Sequence, residues 1–186
     1  MKIRRITSVV ALAVVGLTAC GRTGEDQAEA EASAVVATPA PAPDTSGAAM
    51  WAHIQGADYR ANWNLWPGKG QFYVGGEPHG MLLTTYMNDV ALAALNARTG
   101  SMPDGAIVIK ENYMPDSTLA AVTVMYKRPG YNAEHNDWFF TKHMPDGTLD
   151  AMPNGMAMEG RLPGCQNCHL GVKANDYLFT APLSGN

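Results

Sequence analysis

The chain has 186 residues, of which 46% are hydrophobic and 16% charged, a balance that fits one or at most two globular domains and excludes a fibrous or wholly disordered protein. Its formal net charge is −4, and no Lys/Arg run occurs beyond the first few residues. The electrostatic footprint of a nucleic-acid binder is missing, so no nucleic-acid partner is expected.

At the start, Lys2, Arg4 and Arg5 precede an apolar run from Val9 to Leu17 that is too short to span a bilayer as a helix and reads as an export signal. The run closes on Leu17-Thr18-Ala19-Cys20, which resembles a bacterial lipobox. Residues 1–19 are therefore expected to be a lipoprotein signal peptide and Cys20 the site of lipidation; an ordinary signal peptide with an incidental cysteine is the alternative. Acyl chains on Cys20 would anchor the protein to a membrane without spanning it, on the periplasmic side of a bacterial membrane. Gly21, where an aspartate would retain the protein at the inner membrane, favours the outer one. Residues 20–49 are rich in Ala, Glu, Pro, Thr and Ser, with no aromatic residue and no apolar period. Such a segment cannot bury enough surface to offset its ordering entropy and reads as a disordered tether, locally extended at Pro39-Ala-Pro41-Ala-Pro43. The folded domain is expected over 50–186.

Within it, a moderately periodic segment predicts a helix over about Met50 to Asn62, and Met81 to Met87 reads as a strand. Asp89 can cap a second helix over Val90 to Ala97, ending at Gly100. Three turn signals follow, Pro103-Asp104-Gly105, Pro129-Gly130 and Pro145-Asp146-Gly147, and between them lie β-branched and aromatic runs. Gly105 to Glu111 predicts a strand with Ile107 and Ile109 on one face and Ala106, Val108 and Lys110 on the other. Leu119 to Lys127 predicts another, with Val122, Val124 and Tyr126 opposed to Ala121, Thr123 and Met125. In a third, Asp137 to His143, Trp138 and Phe140 alternate with Phe139 and Thr141. The fold class expected is mainly β, an antiparallel sheet built from hairpins with a few flanking helices. Met-Pro-Asp recurs at 102, 114 and 144, but the flanks differ, so it is repeated turn chemistry and not a duplicated unit.

Near the end stands Gly164-Cys165-Gln-Asn-Cys168-His169-Leu170. With Cys20 assigned to lipid, Cys165 and Cys168 are the only cysteines left, and C-x-x-C-H is the covalent attachment motif of haem c. Two thiols at this spacing reach two vinyl groups of one porphyrin, and the adjacent histidine is placed to ligate the iron. Export agrees, since c-type haem is attached outside the cytoplasm. One covalent haem c, carried on a short C-terminal helix, is expected; a thioredoxin-type redox pair and half of a zinc site are the alternatives. Few residues follow His169, so any distal group is sought upstream.

Several of these segments together carry a resemblance. A helix ending at Thr99-Gly100, the strand Pro103-Asp104-Gly105-Ala106-Ile107-Val108-Ile109-Lys110-Glu111, then Asn136-Asp137-Trp138-Phe139-Phe140, then Cys165-Gln-Asn-Cys168-His169 with Asp176-Tyr177-Leu178-Phe179 resemble the cytochrome P-460 family. The resemblance implies an antiparallel β fold, often a homodimer, whose haem c iron has one histidine ligand and an open distal face. Its members oxidise hydroxylamine or bind nitric oxide, and the related cytochrome c′-beta proteins bind diatomic gases without a lysine cross-link. Carried over by position, Cys165 and Cys168 match the thioether cysteines, His169 the metal ligand, and Lys110 the lysine bonded to the porphyrin in cross-linked members. On the distal side Leu83 stands where an arginine is expected, and Glu159, one position out of register, is the acidic candidate. Glu77-Pro78-His79 lies close by and offers a different distal polarity through His79.

The remaining candidates have plainer readings. His79 reads first as a loop residue in a turn with Pro78 and Gly80, while His53, His135 and His143 read as surface or strand-end residues. The methionines are mostly core filler, with Met144, Met156 and Met158 as distal-ligand candidates because their loop leads into the haem helix. Trp51, Trp63, Trp66 and Trp138 read as core. Lys110 shares its face with small apolar residues and must snorkel to solvent, pair with a carboxylate or lose its charge. Two functions are expected from this set. One is a haem oxidoreductase acting on hydroxylamine, with Lys110, Glu159 and His79 as catalytic candidates and a redox partner cytochrome. The other is a gas-binding or electron-transfer cytochrome without turnover.

Overall fold

The computed structural model describes residues 42–184; the expected signal peptide, Cys20 and most of the tether lie outside them. The first element, α1 (Gly47–Gly56), is capped by the Ser46 side chain, which accepts from the Ala49 N–H, the arrangement that satisfies an orphan donor at a helix start. Residues 47–49, read from composition as the end of the tether, therefore form its first turn. A single helix to Asn62 does not form, because Asp58 takes a left-handed conformation (φ 44°) and restarts the chain as α2 (Tyr59–Asn62).

Seven strands make one antiparallel sheet. They are β1 (Asn64–Leu65), β2 (Tyr73–Val74), β3 (Leu82–Met87), β4 (Ile107–Tyr113), β5 (Leu119–Lys127), β6 (Trp138–His143) and β7 (Glu159–Gly160), in the spatial order β1-β3-β4-β5-β6-β7 with β2 also paired to β3. The sheet is the mainly β architecture expected, and the expected register of faces holds. Gly105 closes the first turn at φ 81° and Gly147 the third at φ 90°, conformations that a side chain would oppose.

Between β3 and β4 runs α3 (Asp89–Ala97). Its cap is Asn88 rather than Asp89: the Asn88 Oδ1 accepts from Ala91 N (3.0 Å) and from Ile107 N (3.1 Å), and its Nδ2 donates to Gly105 O (2.8 Å). An amide has both acceptor and donor, so it ties the helix start to the start of β4 as no carboxylate could. The helix ends at Arg98, itself left-handed at φ 52°, two residues before the Gly100 expected to end it.

Strand alternation divides the core in two. On one face Ile107, Ile109, Val122, Val124, Tyr126 and Phe139 pack with Met50 and Ile54 of α1. On the other, Ala106, Val108, Trp138 and Phe140 pack with Ala91 and Ala94 of α3 and with Leu162, Tyr177 and Leu178 from the chain's last segment. That segment contains α4 (Pro163–His169), with Pro163 in its first turn, and a 3-10 run from Leu170 to Asn175. Proline suits this place because the first turn's N–H groups have no helical partner.

The segment is fastened by Asp176. Its carboxylate pairs with Lys127 Nζ at 2.7 and 3.0 Å and accepts from Met102 N (2.6 Å) and Asn136 Nδ2 (2.9 Å), while its carbonyl accepts from Trp138 Nε1 (2.9 Å). Asp176 and Tyr177 both have positive φ, 52° and 65°, a conformation costing non-glycine residues about 1–3 kcal/mol each. The buried ion pair and its hydrogen bonds hold the chain there.

Candidate functional site

A cavity of about 740 Å³ opens between α4, the loop that joins β2 to β3, and the face of the sheet that carries Val108, Lys110, Thr123, Met125 and Phe140. Its volume lies within the range of cofactor pockets, roughly 300–1,000 Å³. Of the residues expected to work together, Cys165, Cys168, His169, Lys110 and His79 all line it. Both cysteines are free thiols.

His169 is nearly buried at 7% exposure, and its Nδ1 lies 2.7 Å from the Tyr177 carbonyl oxygen. A carbonyl only accepts, so Nδ1 carries the proton and Nε2 keeps its lone pair. Metal-ligating histidines are held in this way, by an outer partner that fixes tautomer and ring orientation. The left-handed pair Asp176-Tyr177 is what turns that carbonyl toward the ring. Phe179 and Phe140 wall the imidazole, with ring centres 5.1 and 5.8 Å from it. Burial lowers the His169 pKa and outweighs the raising effect of the Tyr177 bond, so the ring is kept neutral, the form a metal ligand needs.

Lys110 sits on β4 with its side chain half-buried, and among the described residues it makes no ion pair. Burial lowers its pKa, the nearby Lys69 lowers it further, and Cys168 acts in the opposite sense. Burial and the neighbouring positive charge both disfavour the cation. Glu111, the next residue, points to the other face as alternation requires. There it is 1% exposed and accepts from Tyr59 Oη (2.8 Å), Arg60 Nε (2.6 Å) and Tyr113 Oη (2.6 Å). This carboxylate clamps α2 to the sheet and has no access to the cavity.

His79 is not a free loop histidine. Its Nδ1 lies 3.2 Å from Asn112 Oδ1 and 3.5 Å from Thr123 Oγ1, and its ring centre is 6.2 Å from that of His169, the planes being at 88°. Desolvation chiefly, then the charges of Lys110 and His169, push its pKa down to about 4. The ring is therefore neutral at physiological pH.

Glu159 does not line the cavity. Its Oε2 accepts from the Gly47 N–H at the start of α1, where a carboxylate satisfies an orphan donor and complements the helix dipole. Its position in β7, paired with Thr141 across from β6, directs it to α1, so the catalytic role expected for it is withdrawn. Leu83 and Trp66 do line the cavity, as does Met158 together with Met152. Met144 and Met156 are exposed, at 38% and 58%, and are no distal candidates. His143 does end β6 but is fully buried, held between Thr141 Oγ1 (3.0 Å) and Gly147 O (3.2 Å), which corrects its reading as a surface residue.

Two further residues belong to the site. Asn112 and Thr123 stand behind His79. Asn112 shares parity with Val108 and Lys110 along β4, so alternation carried to the end of the strand would have placed it on this face. The Tyr177 carbonyl has no sequence signal of its own, being a backbone group aimed by a turn.

These groups fit a haem. The cavity is mostly apolar, two thiols stand at its edge three positions apart, and beside them is an imidazole with Nε2 free. The alternatives lack their requirements: among the described residues no group of three or more His, Cys, Asp or Glu side chains is placed to hold a metal ion. Nor does α4 belong to a β-α-β unit, since the strand before it is an edge of an antiparallel sheet.

The family model described as cytochrome P460 matches residues 58–180, more than half of the chain and every cavity-lining element. Comparison with curated proteins finds no match.

Proposed function

Since the chain belongs to the cytochrome P460 family, and is thus a haem protein, we propose that it holds one haem c and uses it to oxidise hydroxylamine or to handle nitric oxide. Cys165 and Cys168 would hold it through thioether bonds and His169 Nε2 would be the iron's ligand. The observation that supports this reading best is the convergence of both thiols, the free Nε2 of His169 and the lysine Lys110 on one largely apolar cavity. When bound, the haem would supply an iron that can take a small molecule and pass electrons one at a time.

The chain's own residues do the rest. Tyr177 fixes the His169 ring through Nδ1, and Phe140 and Phe179 keep it from turning. Leu83, Val108 and Met125 exclude water from the cavity wall, which strengthens every polar interaction inside. His79, which lines the same cavity with its ring centre 6.2 Å from that of His169, would be placed to take a proton from hydroxylamine at Nε2. Lys110 is assigned to the haem edge, bonded to the macrocycle or paired with a propionate. Electrons would leave to a c-type cytochrome, and the protein would be exported and anchored through Cys20 on the periplasmic side of a bacterial membrane.

Hydroxylamine loss coupled to reduction of an added cytochrome c by the purified holoprotein tests the oxidase reading. A second reading, gas binding without turnover, is favoured by one feature of the cavity: no arginine lines it, and Glu77 is its only carboxylate among the described residues. A stable nitrosyl complex with no hydroxylamine loss would select it.

A further inference from the structure

We propose that His79 is the sixth ligand of the iron in the resting protein, opposite His169, and that small molecules bind by displacing it. The inference rests on the haem reading above and sharpens it, because it makes the distal face latched instead of open.

Spacing is the first support. The two ring centres are 6.2 Å apart, and two imidazoles sharing one metal, each through a metal–nitrogen bond of about 2 Å, stand roughly 6 Å apart. A distal histidine that only hydrogen-bonded to an iron-bound molecule would stand farther off, by the length of that molecule.

Tautomer is the second. Asn112 Nδ2 faces Lys110 O (2.9 Å), Ala121 O (3.2 Å) and Thr123 Oγ1 (3.3 Å). Two of these are carbonyls and must accept, which fixes the amide with Oδ1 toward His79. Oδ1 can only accept, so His79 Nδ1 is the donor and Nε2 carries the free lone pair. His79 thus repeats the arrangement of His169: each ring is anchored through Nδ1 to an oxygen acceptor, as ligating histidines are, and each presents Nε2 from the wall of the same cavity. Asn112 is 4% exposed, so this outer partner is itself rigidly packed.

The chain around His79 explains why the ligand can leave. It sits in the Gly75-Gly76-Glu77-Pro78-His79-Gly80 turn between β2 and β3, whose first strand is only two residues long. Val74 beside it is 81% exposed. Gly76, Glu77 and Pro78 in the turn are exposed, and exposed segments of this kind open at low cost. His169 is fastened by Asp176 and two phenylalanines, so ligand exchange falls on the His79 side. Once displaced, His79 Nε2 remains beside the bound molecule, where it can accept the proton assigned to it above.

The test uses the full-length ferric holoprotein, followed by absorption and electron paramagnetic resonance. The wild type is expected to be low-spin with two imidazole ligands, and His79→Ala high-spin and five-coordinate, with low-spin character restored by added imidazole. His79→Gln, which keeps a polar side chain in the turn, gives the same reading if the alanine variant folds poorly. In the ferrous protein, carbon monoxide binding should saturate in rate as its concentration rises, and should become linear in His79→Ala. A high-spin wild type would overturn the proposal. So would a low-spin signal that survives in His79→Ala and His79→Gln, because Lys110, Met152 or Met158 would then hold the iron. Haem staining of a denaturing gel separates the two levels: a protein band without haem overturns the haem reading itself, whereas a stained band with high-spin iron overturns only the latch.

Discussion

Asp176 shows how much of this site depends on one buried charge. It balances Lys127, which is 8% exposed, and holds the turn that delivers the Tyr177 carbonyl to His169. Asp176→Ala leaves Lys127 buried and unpaired, so we expect a loss of about 3–5 kcal/mol in urea unfolding, against a smaller loss for Asp176→Asn. Lys110 gives a second residue-level prediction. If it is bonded to the macrocycle, a tryptic digest yields a haem peptide carrying both the Cys165–Cys168 segment and the peptide around Lys110, and Lys110→Leu shifts the haem absorption bands. A haem peptide without the second chain, with unshifted bands in the variant, leaves Lys110 as a propionate partner. That Cys165, Cys168 and His169 stand together was legible in the sequence from their spacing alone, and all three line the one cavity. Glu159 and Asp176 were not, because a carboxylate's role is set by what the fold packs beside it. Glu159 meets the start of α1, far away in the chain, and no pattern around residue 159 records that.

Among the elements, β4 was readable because period-2 alternation on a strand covered on both faces leaves little freedom, and it put Lys110 and Glu111 on opposite sides. Helix ends were less readable. The break at Asp58 needs a left-handed non-glycine residue, which carries no propensity signal, and the cap of α3 lay one residue earlier than the carboxylate suggested. Asn88→Ala tests the latter. It removes the helix cap together with the two bonds to the start of β4, and should cost about 1–2 kcal/mol in equilibrium unfolding. Asn88→Asp keeps the acceptor but loses the donor to Gly105 O and should fall between the two. If Asn88→Ala proves neutral, the joint between α3 and β4 is not where the structure puts it.

Across the whole molecule, buried neutral histidines set the response to acid. His143 is fully buried, and desolvation lowers its pKa below the ordinary 6.5. As pH falls through 6.5 the unfolded chain takes up a proton at this position before the fold does, so the unfolded state is favoured and stability declines with falling pH. The urea midpoint should therefore drop between pH 7 and about pH 5, and His143→Gln should flatten that slope; an unchanged slope would remove His143 as its cause. The cavity as a whole would hold one haem through Cys165, Cys168 and His169. Mass spectrometry of the denatured protein, made in a host that matures c-type cytochromes, tests it most directly. One haem's mass is expected to stay on the tryptic peptide that contains Cys165 and Cys168, whatever processing at Cys20 does to the intact mass. That peptide at its unmodified mass, with both thiols free to react with an alkylating reagent, would be the opposite result.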